Sequence, residues 1–203
     1  MTSSTIIEDI GAMQRSGLAS LAMHYYDFRV KQKKGLRELL SSVLFQLSRQ
    51  SDSYCDIVYN LRSEHDNGFE DPSDDGLIRC LKRLLGLTRQ APIFLIVDAL
   101  DECPNTPALS SPRKEVLILI KDLVDSQLPN LRICVTSRPE EDIRAILDHL
   151  AFHSVSLHNE RGQKDDIKNY IESIVNTNEN MQNWSPEYKQ LVIDVLTERA
   201  DGM

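Results

Sequence analysis

A continuous apolar run that ends in an acid constrains the fold of this chain more than any other feature. Residues 93–97 read IFLIV, and Asp98 follows them directly. A strand that is apolar at every position has to be covered on both faces, which is typical of the parallel sheet of an α/β domain. In such sheets ligands bind in the crevice beyond the carboxyl ends of the strands. We therefore expect Asp98 at a ligand-binding edge of a parallel sheet.

Helical and strand patterns alternate along most of the chain, which predicts an α/β fold with a parallel sheet. After residue 159 the pattern is helical only, with helices predicted at 163–175 and from Pro186 to about 200. The first helix is expected near residue 3, where Thr5 and Glu8 fit a capping box. Further helices are predicted at 36–47, 77–85, from Pro112 with Ser111 as its N-cap, and at 139–150. Strands are predicted at 18–28, 93–97, 131–136 and 152–157.

The charge balance argues against a nucleic-acid partner. The formal net charge is −8, and an acidic surface repels phosphate backbones. One basic cluster is expected to face solvent rather than bind nucleic acid; it comprises Arg29, Lys31, Lys33, Lys34 and Arg37. The sequence shows no signal-peptide pattern and no apolar run long enough to span a membrane. Cys55, Cys80, Cys103 and Cys134 have no metal-ligand spacing, so we expect thiols in a reducing, cytoplasmic compartment.

Three acids lie within five positions at the end of the predicted strand 93–97. Asp98 is expected to hold Mg²⁺, through water, because Mg²⁺ keeps much of its hydration shell. Asp101 and Glu102 come one turn later, where a carboxylate can polarise an attacking water molecule. The alternative interpretation is a solvated acidic loop after a core strand. The acids next to Cys103 are expected to disfavour its thiolate.

A second strand, 131–136, also ends in polar groups. Thr136 and Ser137 carry hydroxyls, and Arg138 carries a planar fork that suits phosphate oxygens. We expect Arg138 to contact a terminal phosphate. The alternative is local: Ser137 and Glu140 form a capping box, with Pro139 in the first turn of the next helix.

The two segments together resemble a known family. IFLIVDALDE is similar to the extended Walker B motif of NACHT domains, in the STAND class of P-loop NTPases, and ICVTSRP resembles their sensor 1 strand. The nearest likeness is to the nephrocystin-3-like N-terminal domains of large fungal proteins that carry ankyrin or WD repeats. STIIEDI, LLSSVLFQL and ERADGM also resemble that subgroup, so the likeness covers almost the whole chain.

The resemblance implies a P-loop NTPase-like parallel sheet in the order 5-1-4-3-2, with a NACHT core at 1–158 and the start of a helical subdomain at 159–203. It implies Mg²⁺ at Asp98, ATP or GTP bound with help from Thr136 and Arg138, and catalysis by Asp101 and Glu102. Proteins of this class act as nucleotide-dependent switches in signalling or self/non-self recognition. The implied partners are related NACHT proteins or further copies of the same chain.

One motif of the family is missing from these residues. None of the eight glycines falls in a GxxxxGK[ST] loop, which the family places after a strand and which would lie just upstream of Met1. That loop supplies the amide cradle, the phosphate-binding lysine and a hydroxyl on Mg²⁺. We expect the 203 residues alone to bind nucleotide weakly and not to hydrolyse it. Two alternatives stay open: a non-enzymatic interaction domain that binds a related full-length NACHT protein, and a Mg²⁺-dependent phosphohydrolase that uses Asp98, Asp101 and Glu102.

Overall fold

The chain divides into two compact units, Met1–Ala151 and Phe152–Met203, in a computed structural model. The structure describes residues 2–27, 29, 35–64, 71–87, 91–106, 111–155 and 161–199. The predicted domain boundary at 159 lies outside the described residues, as do Lys31, Lys33 and Lys34 of the basic cluster. No helix in the described ranges is both long enough and apolar enough to cross a bilayer.

The first unit alternates helices with strands, which confirms the α/β class. Its helices are α1 Thr2–Arg15, α2 Leu36–Ser48, α3 Asp52–Glu64, α4 Asp74–Leu85, α5 Pro112–Asp125 and α6 Glu141–Leu147. Its strands are β1 Ser20–Tyr25, β2 Ile93–Asp98 and β3 Leu131–Val135, and a short 3-10 helix, Leu100–Glu102, follows β2. Between α2 and α4, helix α3 is a helix that the sequence analysis did not predict.

The three strands form one parallel sheet in the order β1-β2-β3. In its register, Leu95 of the central strand lies opposite Ala22 on one side and Ile133 on the other. The apolar run is central because both of its faces are covered. On one face Ile96 packs with Leu21 and with Ile10 of α1, and on the other Leu95 belongs to the main core. The prediction from IFLIV is confirmed.

The main core lies between the sheet and the helices α2, α4 and α5. Each of these helices turns an apolar face inward, and burial of one leucine side chain contributes about 1.5–3 kcal/mol. Helix α5 begins as predicted, with Pro112 in its first turn and the Ser111 hydroxyl accepting a hydrogen bond from the Lys114 N–H at 3.2 Å. The buried residues of α5 are Arg113, Val116, Leu117, Leu119, Ile120 and Leu123.

The outer edge of β1 is closed by two side-chain amides, one from Gln46 of α2 and one from Gln50 in the turn directly after it. Gln50 accepts from the Leu21 N–H at 2.9 Å and donates to the Leu21 carbonyl at 2.6 Å. Gln46 does the same for Met23, at 3.0 and 2.7 Å. Four residues of helix rise about 6 Å and two residues of strand about 6.6 Å, so the two spacings match. The glutamines thus take the place of a fourth strand.

The opposite edge of the sheet, along β3, differs. The Asn130 carbonyl accepts from Ile93 at 2.8 Å and the Thr136 N–H donates to Val97 at 3.0 Å, so even-numbered residues pair with β2. The backbone groups of Ile133 and Val135 point the other way, and no described segment pairs with them. Within the described ranges this edge of the sheet is open.

Three local predictions are wrong. Helix α1 begins at Thr2, so Thr5 lies inside it and is not the cap of a capping box. Helix α6 begins at Glu141 with Glu140 as its N-cap, so Ser137 and Glu140 form no capping box either. Residues 152–155 form no strand, and the remainder of the predicted strand 152–157 lies outside the described residues. The physical reason is that a strand requires a partner for its backbone, and among the described residues none pairs with 152–155.

The predicted helix at 77–85 begins one turn earlier than expected, because α4 begins at Asp74 with Ser73 as its N-cap. The Ser73 hydroxyl accepts from the Gly76 N–H at 3.2 Å. Residues 65–70 lie outside the described part of the chain. The prediction missed this first turn because its residues are polar and carry no apolar periodicity.

The second unit contains α7, Arg161–Thr177, a 3-10 turn, Glu179–Met181, and α8, Pro186–Arg199. Helix α8 begins as predicted, with the Ser185 hydroxyl accepting from the Tyr188 N–H at 3.3 Å. Among the described residues of this unit, the buried apolar side chains are Val175 of α7 and Ile193 of α8. This small core agrees with the helical pattern of the sequence.

Candidate functional site

Asp98 and Thr136 meet at the carboxyl ends of the neighbouring strands β2 and β3. The Thr136 hydroxyl donates a hydrogen bond to Asp98 Oδ1, and Thr136 Oγ1 accepts one from the Ala99 N–H at 3.0 Å. The Leu100 N–H donates to the Thr136 carbonyl, also at 3.0 Å. The chain after β2 is thus wrapped around the residue that ends β3.

Ala99 makes this wrapping possible by adopting a left-handed conformation, with φ 54° and ψ 48°. The left-handed conformation costs about 1–2 kcal/mol for a residue with a Cβ atom, and more for a larger or branched side chain. The turn directs the chain into the 3-10 helix Leu100–Glu102, which carries the two further acids. Steric strain at this position therefore explains why a small residue follows Asp98.

Asp101 contacts Arg138, the other charged residue predicted for the site. Asp101 Oδ1 accepts from the Arg138 backbone N–H at 3.0 Å, and Oδ2 lies 3.5 Å from Arg138 Nε. The Asp101 side chain is only 10% exposed, whereas that of Arg138 is 80% exposed. Asp101 thus anchors the loop after β3, and the guanidinium of Arg138 stays accessible to a ligand in solution.

Glu102 contributes negative charge to the same edge of the sheet, on the side of β1. The charge of Glu102 is the largest cause that raises the pKa of the exposed Tyr25; burial, Asp27 and Asp98 add to it, and Arg29 opposes it. Tyr25 lies opposite Asp98 in the β1–β2 register. Such a negative edge attracts cations and repels an anion unless a cation accompanies it.

Asp98 has the chemistry to hold a magnesium ion. Thr136 binds one of its oxygens, so the second oxygen can accept a hydrogen bond from metal-bound water. Within the described residues, however, no three His, Cys, Asp or Glu side chains converge as a metal-binding group. Any Mg²⁺ at Asp98 would therefore need further oxygen ligands from solvent or from a phosphate.

Arg113 is a residue of this region that the sequence analysis missed. It is 4% exposed, and its guanidinium donates to the Cys103 carbonyl at 3.0 Å and to the Asp101 carbonyl at 2.5 Å. It also pairs with Glu140 at 2.5 Å and with Asp142 at 3.4 Å. A signal was present in the sequence: Arg113 shares a helix face with Val116 and Leu117, so a charge occupies the apolar face of α5.

A cavity of about 670 Å³ opens beside these residues. Asp101, Glu102, Arg138 and Glu140 line it, together with Arg113. Cys103, also at this cavity, has a pKa raised to about 11, mainly by burial, while the neighbouring Tyr26 side chain and the charge of Arg113 act in the opposite direction. The predicted direction for Cys103 is confirmed, but burial rather than the neighbouring acids is the main cause.

The structure brings the five predicted site residues to one edge of the sheet: Asp98, Asp101, Glu102, Thr136 and Arg138. They form two contacting pairs, Asp98 with Thr136 and Asp101 with Arg138. The roles assigned to them, in metal binding, nucleotide binding and catalysis, stay predictions.

Comparison with known proteins gives one result. Residues 1–138 match the family model described as Nephrocystin 3, N-terminal. Searches of curated proteins and of solved structures returned no match. The matched segment includes all three strands and ends at Arg138, so it contains every predicted site residue. The chain belongs to the Nephrocystin 3, N-terminal family.

Proposed function

We propose that this chain is the nucleotide-sensing part of a NACHT-type switch module from a signalling or self/non-self recognition protein. In this proposal Asp98 holds Mg²⁺, Thr136 and Arg138 report on a bound ATP or GTP, and Asp101 and Glu102 serve hydrolysis. The 203 residues alone bind nucleotide weakly and do not hydrolyse it. The observation that carries the proposal is the pairing of Asp98 with Thr136 at the carboxyl ends of adjacent parallel strands.

The order of the strands supports this proposal. The observed order β1-β2-β3 corresponds to strands 2, 3 and 4 of the order 5-1-4-3-2 that the resemblance implies. In that order the strand that leads into the phosphate-binding loop lies next to β3. The edge of β3 is open at Ile133 and Val135, where such a strand would pair. A strand added there would end beside Asp98 and Thr136.

The charges explain why the 203 residues are proposed to be inactive alone. Arg138 is the one cation among the five proposed site residues, and three of the other four are carboxylates. Phosphate binding in this class depends on a cradle of backbone amides and a lysine, which the GxxxxGK[ST] loop supplies. These residues contain no such loop, so nucleotide phosphates would meet mainly negative charge.

Isothermal titration with Mg-ATP and Mg-GTP tests the proposal on two proteins. One is the chain as it stands, and the other is the chain extended by a family-like strand and phosphate-binding loop. The extended protein should bind clearly more tightly. In it, Asp98→Asn keeps an acceptor for Thr136 but weakens Mg²⁺-dependent binding, whereas Glu102→Gln spares binding and lowers hydrolysis. Micromolar binding with steady turnover by the unextended chain would overturn the proposal.

A second candidate function is a non-enzymatic interaction domain that associates through the open edge of β3. Unpaired backbone groups at a sheet edge invite the addition of another strand. The Val135 N–H points away from β2, so Val135→Pro removes an edge donor and keeps the β2–β3 ladder. Size-exclusion chromatography with light scattering should show association by the native chain and by Val135→Thr, and its loss in Val135→Pro. Association that is unchanged in Val135→Pro would exclude this edge as the interface.

A phosphohydrolase built on Asp98, Asp101 and Glu102 has less support. Two-metal and one-metal phosphohydrolases hold their ions with several converging oxygens. Asp101 is instead bound to the Arg138 backbone, and no group of three ligands converges in the part of the chain that the structure describes.

A further inference from the structure

We propose that Arg113 is the positioning residue of this site: its buried guanidinium fork sets the spacing between the Asp101 segment after β2 and the Arg138 segment after β3. The inference rests on the proposed function for the chemistry of the site, but the geometry that carries it is independent of nucleotide. Neither Asp98 nor Thr136 contacts Arg113 in the hydrogen bonds and ion pairs described. Two separate sets of contacts therefore hold the site, those of Arg113 and the Asp98–Thr136 pair.

The guanidinium joins two segments that are far apart in sequence. Its Nε and Nη2 bind the Cys103 and Asp101 carbonyls, on the chain that leaves β2. Its Nη1 binds Glu140 and Asp142, at the beginning of α6. Each end of the fork therefore holds a different side of the site.

A second link runs between the same two segments. The Asn105 side-chain amide donates to Asp142 Oδ2 at 3.1 Å, close to where Arg113 reaches the same carboxylate. Together with the Asp101–Arg138 contacts, these links join the chain after β2 to the chain after β3, beside the bonds that Ala99 and Leu100 make with Thr136. Among the side chains that donate across these links, Arg113 is only 4% exposed, whereas Asn105 and Arg138 are exposed. Of these side-chain links, that of Arg113 is the least open to competition from water.

Burial explains why this position requires arginine. A buried charge is tolerated only when it is paired and its donors are satisfied. Two carboxylates balance the charge of Arg113, and two carbonyls accept hydrogen bonds from its Nε and Nη2. A lysine keeps the charge but has a single nitrogen, so it cannot reach the carbonyls and the carboxylates in fixed directions at once. Arg113→Lys therefore keeps the positive charge but removes the planar guanidinium with its several N–H donors.

The test is amide hydrogen exchange, measured by NMR on the 203-residue chain. In Arg113→Lys, exchange of the Arg138 and Cys103 amides should rise about tenfold, because their partners belong to the segment that the fork holds. The amides of Leu95 and Val97 in β2 should stay within about threefold of the native rates. The matched control is Arg144→Lys, on α6, whose partner among the described residues is the exposed Asp148 and which should change the exchange of none of these amides.

A purely structural role predicts a different pattern. If Arg113 only stabilised the fold, Leu95 and Val97 would exchange faster in step with Arg138, and that result would overturn the inference. Unchanged exchange at Arg138 would overturn it as well. If Arg113→Lys does not fold, the double variant Glu140→Gln, Asp142→Asn loosens the same link from its other end. It must then raise exchange at Arg138 selectively, and failure to do so would also refute the inference.

Mn²⁺ separates this inference from the proposed function. As a paramagnetic probe for Mg²⁺ it should broaden the Ala99 and Thr136 amide signals equally in the native chain and in Arg113→Lys, because Arg113 does not touch Asp98. No broadening in the native chain would count against the metal role of Asp98 and leave the exchange result for Arg113 intact. Selective loss of broadening in Arg113→Lys would contradict the inference that the fork acts on Asp101 and Arg138.

Discussion

The Thr136 hydroxyl donates a hydrogen bond to Asp98 Oδ1 while its oxygen accepts one from the Ala99 N–H. One side chain therefore satisfies both the carboxylate at the end of β2 and the strained peptide after it. Because Thr136 follows β3, the end of one strand depends on the end of its neighbour. The contact therefore stabilises the fold, and it leaves the second Asp98 oxygen for the metal proposed above.

Thr136→Val should lower the free energy of unfolding by about 1–3 kcal/mol, since it leaves the Ala99 N–H and an Asp98 oxygen without their partner. Valine is close to threonine in shape, so the loss reports on the hydroxyl. Thr136→Ser keeps the hydroxyl and is the matched control, with a smaller loss from the missing methyl group. Urea denaturation of the three proteins measures the difference. Equal stability of Thr136→Val and the native chain would contradict the role given to this hydroxyl.

Ala99 gives a second prediction, which concerns backbone strain. Ala99→Gly relieves about 1–2 kcal/mol of left-handed strain, but glycine adds unfolded-state entropy of similar size, so stability should change little. Ala99→Val should lose about 2 kcal/mol or more, because a branched side chain is poorly tolerated at positive φ. Thermal denaturation distinguishes the two variants. A valine variant as stable as the glycine variant would show that the turn is not strained.

The sequence predicted correctly those elements whose structure depends on their own residues alone. The run 93–97 is apolar at every position, so it had to be a central strand. Ser111 and Pro112 fix the start of α5 through a local hydrogen bond and a fixed φ. The placement of Asp98 and Arg138 on one edge also followed, because parallel neighbouring strands end at the same edge.

Contacts between segments that are far apart in the chain could not be predicted from the sequence. The partner of Asp101 is a backbone N–H that is 37 residues away, and no spacing rule predicts it. The start of α6 was misplaced because local capping propensities favour Ser137, whereas in the structure Glu140 precedes the helix and pairs with the buried Arg113. The predicted strand at 152–157 had the right composition, but a strand also needs a neighbour.

The third prediction concerns the closed edge of β1. Gln46→Glu preserves size and the acceptor for the Met23 N–H, but it removes the donor to the Met23 carbonyl and places a charge next to that oxygen. It should destabilise the chain by about 1–3 kcal/mol. Gln50→Glu should act in the same way at Leu21, and the double variant should associate more readily, because the edge then offers unpaired groups.

Urea denaturation and light scattering test this prediction together. The matched control is Gln190→Glu on α8, where the glutamine is exposed and donates only to Asp194, at 2.9 Å. Its effect should stay within about 0.5 kcal/mol, as is usual for surface substitutions. If Gln46→Glu costs no more than the control, the glutamine pair does not seal the edge.

The final prediction concerns pH and rests on the buried pair of Tyr26 and Cys103. Cys103 is 1% exposed and Tyr26 is fully buried, and both belong to the main core. Burial raises the pKa of both groups, that of Cys103 from 9.0 to about 11. A thiol that is harder to ionise in the folded state binds more protons there than in the unfolded state. The resulting stability is fully present below pH 9 and is lost as pH rises towards 11.

Two pH units correspond to about 3 kcal/mol, so the free energy of unfolding should fall by roughly that amount between pH 9 and pH 11 on account of Cys103. Tyr26 adds to the fall at the upper end, because its pKa is raised in the same direction. Cys103→Ala removes the thiol, so its stability should start lower but decline less steeply over this range. Cys55→Ala, at an exposed position, is the control and should keep the native slope. Urea denaturation at half-unit intervals of pH measures the slopes, and equal slopes for Cys103→Ala and the native chain would show that the thiol of Cys103 does not govern alkaline unfolding.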